Sequence, residues 1–204
     1  MKKLSYIALL PVVGAVLFLL LYLAAAKLYP GGSQFDVNET GFSFKHNYWC
    51  NLLNEKGLNG LINKGRPFAI ASLLMLTVTL GSFWFLFPIM VDLPKPLKRI
   101  IQFSGMASMV TVIFISSKHH DSITNIASFF GLIAVAGTIL ALRKLHWTIL
   151  FWFGILNIIL VAVNNILYYG EDLQLHLPAV QKITFASFLL WMCLLNIKAM
   201  RHSH

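Results

Sequence analysis

Charged residues are scarce in this chain, and they avoid the centres of its long apolar runs. Only 11% of the 204 residues are charged and 58% are hydrophobic, whereas a soluble domain has about 25% charged residues. Apolar runs of about 18 residues or more recur, and a helix of that length crosses a hydrocarbon core about 30 Å thick. The composition therefore excludes a separate soluble domain and predicts an all-α, polytopic membrane protein.

Several signatures of chemistry are also missing. The two cysteines, Cys50 and Cys193, are too few for a disulfide scaffold or a cysteine zinc site. No His-Glu-x-x-His, Gly-x-Ser-x-Gly or phosphate-binding glycine loop occurs. Ionisable residues inside a membrane usually mark proton or ion paths, and none lies at the centre of an apolar run. The sequence thus predicts no metal site and no cofactor, and it disfavours an ion-coupled transporter.

Six apolar runs predict a bundle of six membrane-spanning helices, which form one membrane domain over residues 1–204. The predicted spans cover residues 4–26, 68–91, 100–116, 123–142, 148–167 and 180–197. The first run follows two lysines, as in a signal peptide. However, it is longer than the 7–15 apolar residues of a signal peptide, so we interpret it as a retained span.

The basic residues predict an orientation. Six spans place both termini on one side, where the connecting segments carry many Lys and Arg residues and a single acid, Asp92. Because Lys and Arg concentrate in cytoplasmic loops, both termini are predicted to be cytoplasmic. The formal net charge of +9 is explained by this orientation, so it does not indicate a nucleic-acid partner.

The longest polar interruption, Tyr29–Arg66, separates the first two predicted spans. At its centre, Phe42–Leu53 combines aromatic residues with histidine and asparagine, and Tyr48–Leu53 is apolar enough to form a short helix at the membrane surface. We predict that this long outer loop forms a lid over the ends of the spans. Its predicted neighbours are the His120–Asp121 turn and the Asn164 end of the fifth span.

Polar side chains that could bind a ligand collect at the predicted outer face, where three loops contribute. The candidate ligand-binding residues are His46, Asn47, Asn51, His120, Asp121, Asn125, Asn164, His176 and Lys182. Histidine beside a carboxylate could position a metal-activated water that attacks a lipid headgroup. The candidates for catalysis are therefore His120, Asp121 and His46.

Most of these residues also have a structural interpretation. Asp121 or Ser122 can cap the fourth helix, since a side-chain oxygen can accept from its free N–H groups. Asn157 and Asn164 share a helix face, where they could form hydrogen bonds between helices or line a pocket that opens outward. Lys182 could extend to the headgroup level, or it could pair with a carboxylate such as Asp121.

Short motifs along nearly the whole chain carry a family resemblance. They are Tyr29–Gly32, His46–Leu53 with Arg66–Pro67, His120–Ala127 and Leu177–Ile183. In these motifs the chain resembles an uncharacterised bacterial six-span membrane family, a domain of unknown function. That family is distantly similar to DRAM-like autophagy modulators and to GPI-lipid-remodelling membrane proteins. Thr124 replaces a histidine, and Gln181 and Lys182 replace an acid and an arginine, that family members often carry. The resemblance implies a membrane lipid as ligand and a bacterial inner membrane as the location, and it implies no reaction.

Three functions are compatible with the sequence. The leading hypothesis is an integral membrane protein without catalysis, which interacts with lipid through its polar face at the outer leaflet. The alternative is a membrane-embedded hydrolase or transferase that acts on lipid headgroups through the histidines and Asp121. The third is a small-solute transporter, which the lack of intramembrane charges disfavours.

Overall fold

The chain folds as an assembly of α-helices in a computed structural model that describes residues 7–115 and 120–202, except for the side chains of residues 120, 171 and 172. The described residues contain no strand, only isolated β-bridges, so the predicted all-α class is confirmed. They form six long helices: α1 Leu10–Lys27, α2 Arg66–Met90, α3 Lys95–Val112, α4 His120–Lys144, α5 Thr148–Tyr169 and α6 Leu177–His202. Two short 3₁₀ helices cover Trp49–Leu53 and Glu171–His176.

Five stretches of helix in the described part of the chain are long and apolar enough to cross a membrane. They correspond to α1, α2, α4, α5 and α6, the last together with the preceding 3₁₀ helix. The remaining long helix, α3, carries Lys95, Lys98 and Arg99 in its first turns, and these charges reduce its mean hydropathy. The apolar helices are those expected of an integral membrane protein, and the six-span count stays a prediction.

Helices α3 and α6 extend furthest beyond their predicted spans. α3 begins at Lys95 and ends at Val112, whereas its span was predicted over residues 100–116. The earlier start has a local cause, because Pro96 lies at the beginning of the helix, where the missing N–H of proline removes no helical hydrogen bond. α6 continues to His202 rather than ending at residue 197. The basic residues of its last turn include Arg201, whose charge interacts favourably with the helix dipole.

The chain divides into two compact units. The first contains Met1–Val16, Leu74–Ile155 and Leu190–His204, and the second contains Leu17–Leu73 and Leu156–Leu189. In the first unit, polar side chains join the helices through backbone carbonyl groups. Trp191 Nε1 donates to the carbonyl oxygen of Leu150 at 2.8 Å, and Ser108 Oγ donates to that of Ala127 at 2.8 Å. These bonds link α6 to α5 and α3 to α4.

Helix α3 approaches α2 closely at Gly105. A Cβ atom at this position would overlap the side chain of Trp84, which is only 2% exposed. Gly81, on α2, provides a contrast, because a Cβ there would meet only Met106 Sδ at an ordinary 3.6 Å. Both glycines lie inside helices, so the two positions differ mainly in the space beside them.

Substituting Gly105 with alanine is therefore expected to destabilise the protein by about 1–3 kcal/mol, the usual cost of overpacking a core. The matched variant Gly81→Ala is expected to be neutral or to stabilise by up to about 1 kcal/mol through helix propensity. The apparent melting temperature of each detergent-solubilised variant measures the difference. Equal shifts at the two positions would mean that α2 and α3 do not meet at Gly105.

The second unit contains the connection between α1 and α2, residues 28–65, which we call the cap. Two isolated antiparallel bridges, Gly31 with Thr40 and Lys56 with Ile62, close turns within the cap. Positive φ angles at Gly32 (81°) and Gly60 (80°) fit these turns, because glycine adopts this backbone conformation without strain. The cap is thus an ordered segment with its own internal contacts.

Candidate functional site

Buried asparagine side chains organise the backbone of the cap. Asn47 is fully buried. Its Nδ2 donates to the carbonyl oxygen of Gly32 at 2.7 Å, and its Oδ1 accepts from the backbone N–H of Ser43 at 2.8 Å. Asn63, which is 4% exposed, donates from Nδ2 to the carbonyl oxygen of Leu52 at 2.9 Å. Buried polar groups need hydrogen-bond partners, and these amides supply partners for backbone groups inside the cap. Asn47 therefore has a structural role.

The short helix predicted over Tyr48–Leu53 is present as the 3₁₀ helix Trp49–Leu53. Asn51, 4% exposed, accepts a hydrogen bond at its Oδ1 from the backbone N–H of Tyr48 at 2.6 Å. Leu52 is 1% exposed, so the helix turns an apolar side chain inward. Asn51 therefore fixes the start of this helix.

The first turns of α6 hold the cap through two neighbouring side chains. Lys182 Nζ donates to the carbonyl oxygen of Asn47 at 2.6 Å and to that of Pro178 at 2.9 Å. The same ammonium lies 5.5 Å from the centroid of the Phe42 ring, within the range of a cation–π contact. Gln181 Oε1 accepts from the backbone N–H of Trp49 at 3.3 Å. Lys182 and Gln181 thus fasten two points of the cap to α6.

Trp49 packs among aromatic rings of α1 and α6. Its ring is stacked on Tyr22, with centroids 3.8 Å apart and planes 11° apart, and on Phe18, with centroids 5.4 Å apart. Phe185 of α6 completes the group, with its centroid 4.7 Å from that of Trp49. Aromatic pairs contribute about 0.5–1.5 kcal/mol beyond the burial of their surface. The cluster therefore adds apolar packing to the polar contacts of Lys182.

His46 and Glu39 form a local pair at the surface of the cap. His46 Nδ1 lies 3.4 Å from Glu39 Oε2, and about a quarter of each side chain is exposed. Hydrogen bonds from Ser33 and Ser43, together with the neighbouring His46, lower the pKa of Glu39. The carboxylate therefore stays ionised near neutral pH and accepts bonds from the cap itself.

Asn164 links α5 to α6, as one of the two interpretations of this residue predicts. Asn164 Nδ2 donates to Thr184 Oγ1 of α6 at 2.5 Å and to the carbonyl oxygen of Leu160 at 2.8 Å. Its Oδ1 is buried and has no hydrogen-bond partner among the described residues, and the same holds for the Tyr22 hydroxyl. Asn157 is 2% exposed.

Four candidate residues remain. Asp121, Asn125 and His176 have exposed side chains, and the side chain of His120 falls outside the described residues. His120 and Asp121 belong to the first unit and the cap to the second, so their predicted contact stays a prediction. Among the side chains that the structure describes, no three from His, Cys, Asp or Glu come together in a way that could hold a metal ion. The headgroup-hydrolase alternative stays a prediction.

The polar candidates in the cap and on α6 form contacts that hold the cap in its folded structure. Asn47, Asn51 and Lys182 bind backbone groups, and His46 pairs within the cap. Cys50 is half-buried, and burial raises the pKa of its thiol. It therefore stays protonated and weakly reactive at neutral pH. The resemblance to a bacterial membrane family stays a prediction. No protein-family model matches this chain, and no curated protein or solved structure matches it significantly.

Proposed function

We propose that the chain is an integral membrane protein that crosses the bilayer six times and interacts with lipid through its cap at the outer leaflet. The three cations of α3 lie within its first five residues, and the rest of that helix is uncharged. Long basic side chains at a helix end can extend to the headgroup region. In this proposal α3 therefore spans the membrane like the five more apolar helices.

The observation that carries the lipid interaction is an exposed apolar turn in the cap. Leu61 and Ile62 are 62% and 74% exposed. The turn that presents them is closed by a hydrogen bond from the N–H of Gly57 to the carbonyl oxygen of Leu61, at 2.9 Å. The bridge between Lys56 and Ile62 fixes the same turn. An ordered turn thus holds two large apolar side chains outward, where leaving water gains about 25 cal/mol per Å².

The charges beside this turn fit a lipid surface. Lys56 and Lys64 are exposed on either side of Leu61 and Ile62, and a basic side chain near an anionic membrane surface contributes about 1 kcal/mol. The cap exposes further large apolar side chains: Phe35, Val37 and Phe44. In segments that bind a membrane surface, apolar side chains typically enter the lipid interface, and neighbouring cations face the lipid phosphates.

Spin-label accessibility in lipid nanodiscs tests this proposal. A label at Ile62→Cys, in a Cys50→Ser and Cys193→Ser background, should be more accessible to oxygen than to a water-soluble nickel chelate. The control is a label at Asn54→Cys, a polar and exposed position of the cap, which should show the opposite preference. Equal preference for the nickel chelate at both sites would exclude insertion of the turn and overturn the proposed lipid contact.

A further inference from the structure

A groove with cations at one end lies between the start of α5 and the end of α6, within the first unit. Its volume is about 640 Å³. The apolar part of its lining includes Ile149 and Leu150 of α5 and Leu194 of α6. The basic part consists of Lys198, Arg201 and His202, all in the last turns of α6. The groove therefore combines an apolar wall with a positively charged end.

Contacts with Trp147 order the basic end of the groove. The Trp147 ring is 7% exposed, and Lys198 Nζ lies 4.9 Å from its centroid. The His202 ring meets the same indole edge-on, with centroids 5.7 Å apart and planes at 86°. Lys198 and His202 are four residues apart and Arg201 is three from Lys198, so the three side chains share one helix face. No carboxylate of the described residues forms a salt bridge with any of them.

The start of α5 adds a second favourable feature for an anion. α5 begins at Thr148, directly after Trp147, and the first N–H groups of a helix lack intrahelical partners. These N–H groups and the helix dipole favour negative charge. The positive end of α5 and the three side chains of α6 thus lie at the same groove.

The apolar wall distinguishes a lipid from a simple anion. Ile149 is 84% exposed and Leu194 is 40% exposed, and both belong to helices that are long and apolar enough to cross a membrane. A small soluble anion would leave this wall uncovered. A second copy docked by twofold symmetry would bring the same three basic residues face to face, which is unfavourable without an intervening anion.

We propose that this groove binds one anionic phospholipid. Lys198, Arg201 and His202 contact its phosphate together with the first N–H groups of α5, and one acyl chain lies along Ile149 and Leu194. Basic pockets between membrane helices are suited to anionic headgroups. The inference rests on the proposed membrane insertion and is independent of the cap, because the two sites share no residue.

Native mass spectrometry of the full chain, released from nanodiscs, tests the site with phosphatidylglycerol and phosphatidylcholine as probes. The wild-type protein should retain one phosphatidylglycerol under conditions that remove phosphatidylcholine. The double variant Lys198→Gln, Arg201→Gln should weaken retention of phosphatidylglycerol about 10- to 30-fold, from the loss of two cations. Equal retention of the two lipids by the wild-type protein would overturn the proposal, even if the variant failed to fold.

A charge-matched control separates the groove from general surface charge. Arg143 and Lys144 occupy the last turn of α4 and are exposed. Arg143→Gln, Lys144→Gln should therefore change phosphatidylglycerol retention less than about threefold, although it removes the same charge. If this control weakened phosphatidylglycerol retention as much as Lys198→Gln, Arg201→Gln does, the result would contradict a specific site at the groove.

Two further measurements distinguish binding of a lipid from binding of a free anion. Inorganic phosphate, added at concentrations that saturate simple anion sites, should not displace phosphatidylglycerol, and Ile149→Gln should weaken its retention without a change in charge. Displacement by phosphate with no effect of Ile149→Gln would show an anion site without an acyl-chain contact, which would overturn the assignment. If the spin label at Ile62→Cys showed no insertion of the cap, the expected retention of phosphatidylglycerol at the groove would be unaffected.

Discussion

Replacing Lys182 with methionine is expected to release the cap from α6. The substitution removes the hydrogen bonds to the carbonyl oxygens of Asn47 (2.6 Å) and Pro178 (2.9 Å), while methionine keeps most of the side-chain volume. A hydrogen bond to a charged group contributes about 1.5–3 kcal/mol, and an acceptor left unsatisfied in a buried position costs a similar amount. The cap should therefore open about 10- to 100-fold more often.

Maleimide labelling of Cys50 at pH 7, in a Cys193→Ser background, measures this opening. Cys50 lies in the 3₁₀ helix of the cap and is half-buried, so labelling of the closed form is slow. Lys182→Met should accelerate labelling by the same 10- to 100-fold. Lys45→Met, which changes an exposed lysine of the same segment, should leave the rate within about twofold. An unchanged rate in Lys182→Met would show that Lys182 does not hold the cap.

Replacing Trp49 with alanine is expected to have the second large effect. It removes the stacked contact with Tyr22 and the contacts with Phe18 and Phe185. A buried tryptophan changed to alanine typically costs about 3–5 kcal/mol, and Trp49 is half-buried, so about 3 kcal/mol is expected. Hydrogen exchange should be faster throughout the cap. Trp152→Ala, at a ring that is 63% exposed, should cost less than about 0.5 kcal/mol.

The variant Tyr22→Phe separates the contribution of the Tyr22 ring to stability from that of its hydroxyl. The variant keeps the stacked ring and removes a buried hydroxyl that lacks a hydrogen-bond partner among the described residues. Removing an unsatisfied buried polar group is neutral or stabilising. We therefore expect the cap to exchange at the wild-type rate or more slowly. A loss as large as that of Trp49→Ala would contradict the assignment of stability to the stacked rings.

The helices could be predicted because their signal is local. Long apolar runs specify both the element and its approximate length, and the apolar Tyr48–Leu53 likewise predicted the short helix of the cap. The start of α3 was missed because the charged Lys95–Arg99 was interpreted as a loop, although Pro96 suits the first turn of a helix. Composition thus identified the helices, and local backbone chemistry set their ends.

The contacts of the cap could not be predicted in the same way. Lys182 was singled out as an ionisable residue next to an apolar run, but its partners are the backbone carbonyl groups of Pro178 and Asn47, the latter 135 residues away. A carbonyl group is present at every residue and leaves no sequence signature. Asn63 was missed for the same reason, since it binds the carbonyl oxygen of Leu52. Asn47, Asn51 and Lys182 were predicted as ligand-binding residues, and the structure shows each of them binding backbone groups.

The central structural feature is a folded cap that is fastened to α1 and α6, and amide hydrogen exchange in nanodiscs measures it directly. The N–H of Asn47 donates to the carbonyl oxygen of Ser43 at 2.9 Å, and that of Trp49 donates to Gln181 Oε1 at 3.3 Å. We expect both amides to exchange at least about 100-fold more slowly than in an unstructured peptide. Exchange of both amides at the unstructured rate would contradict a folded cap.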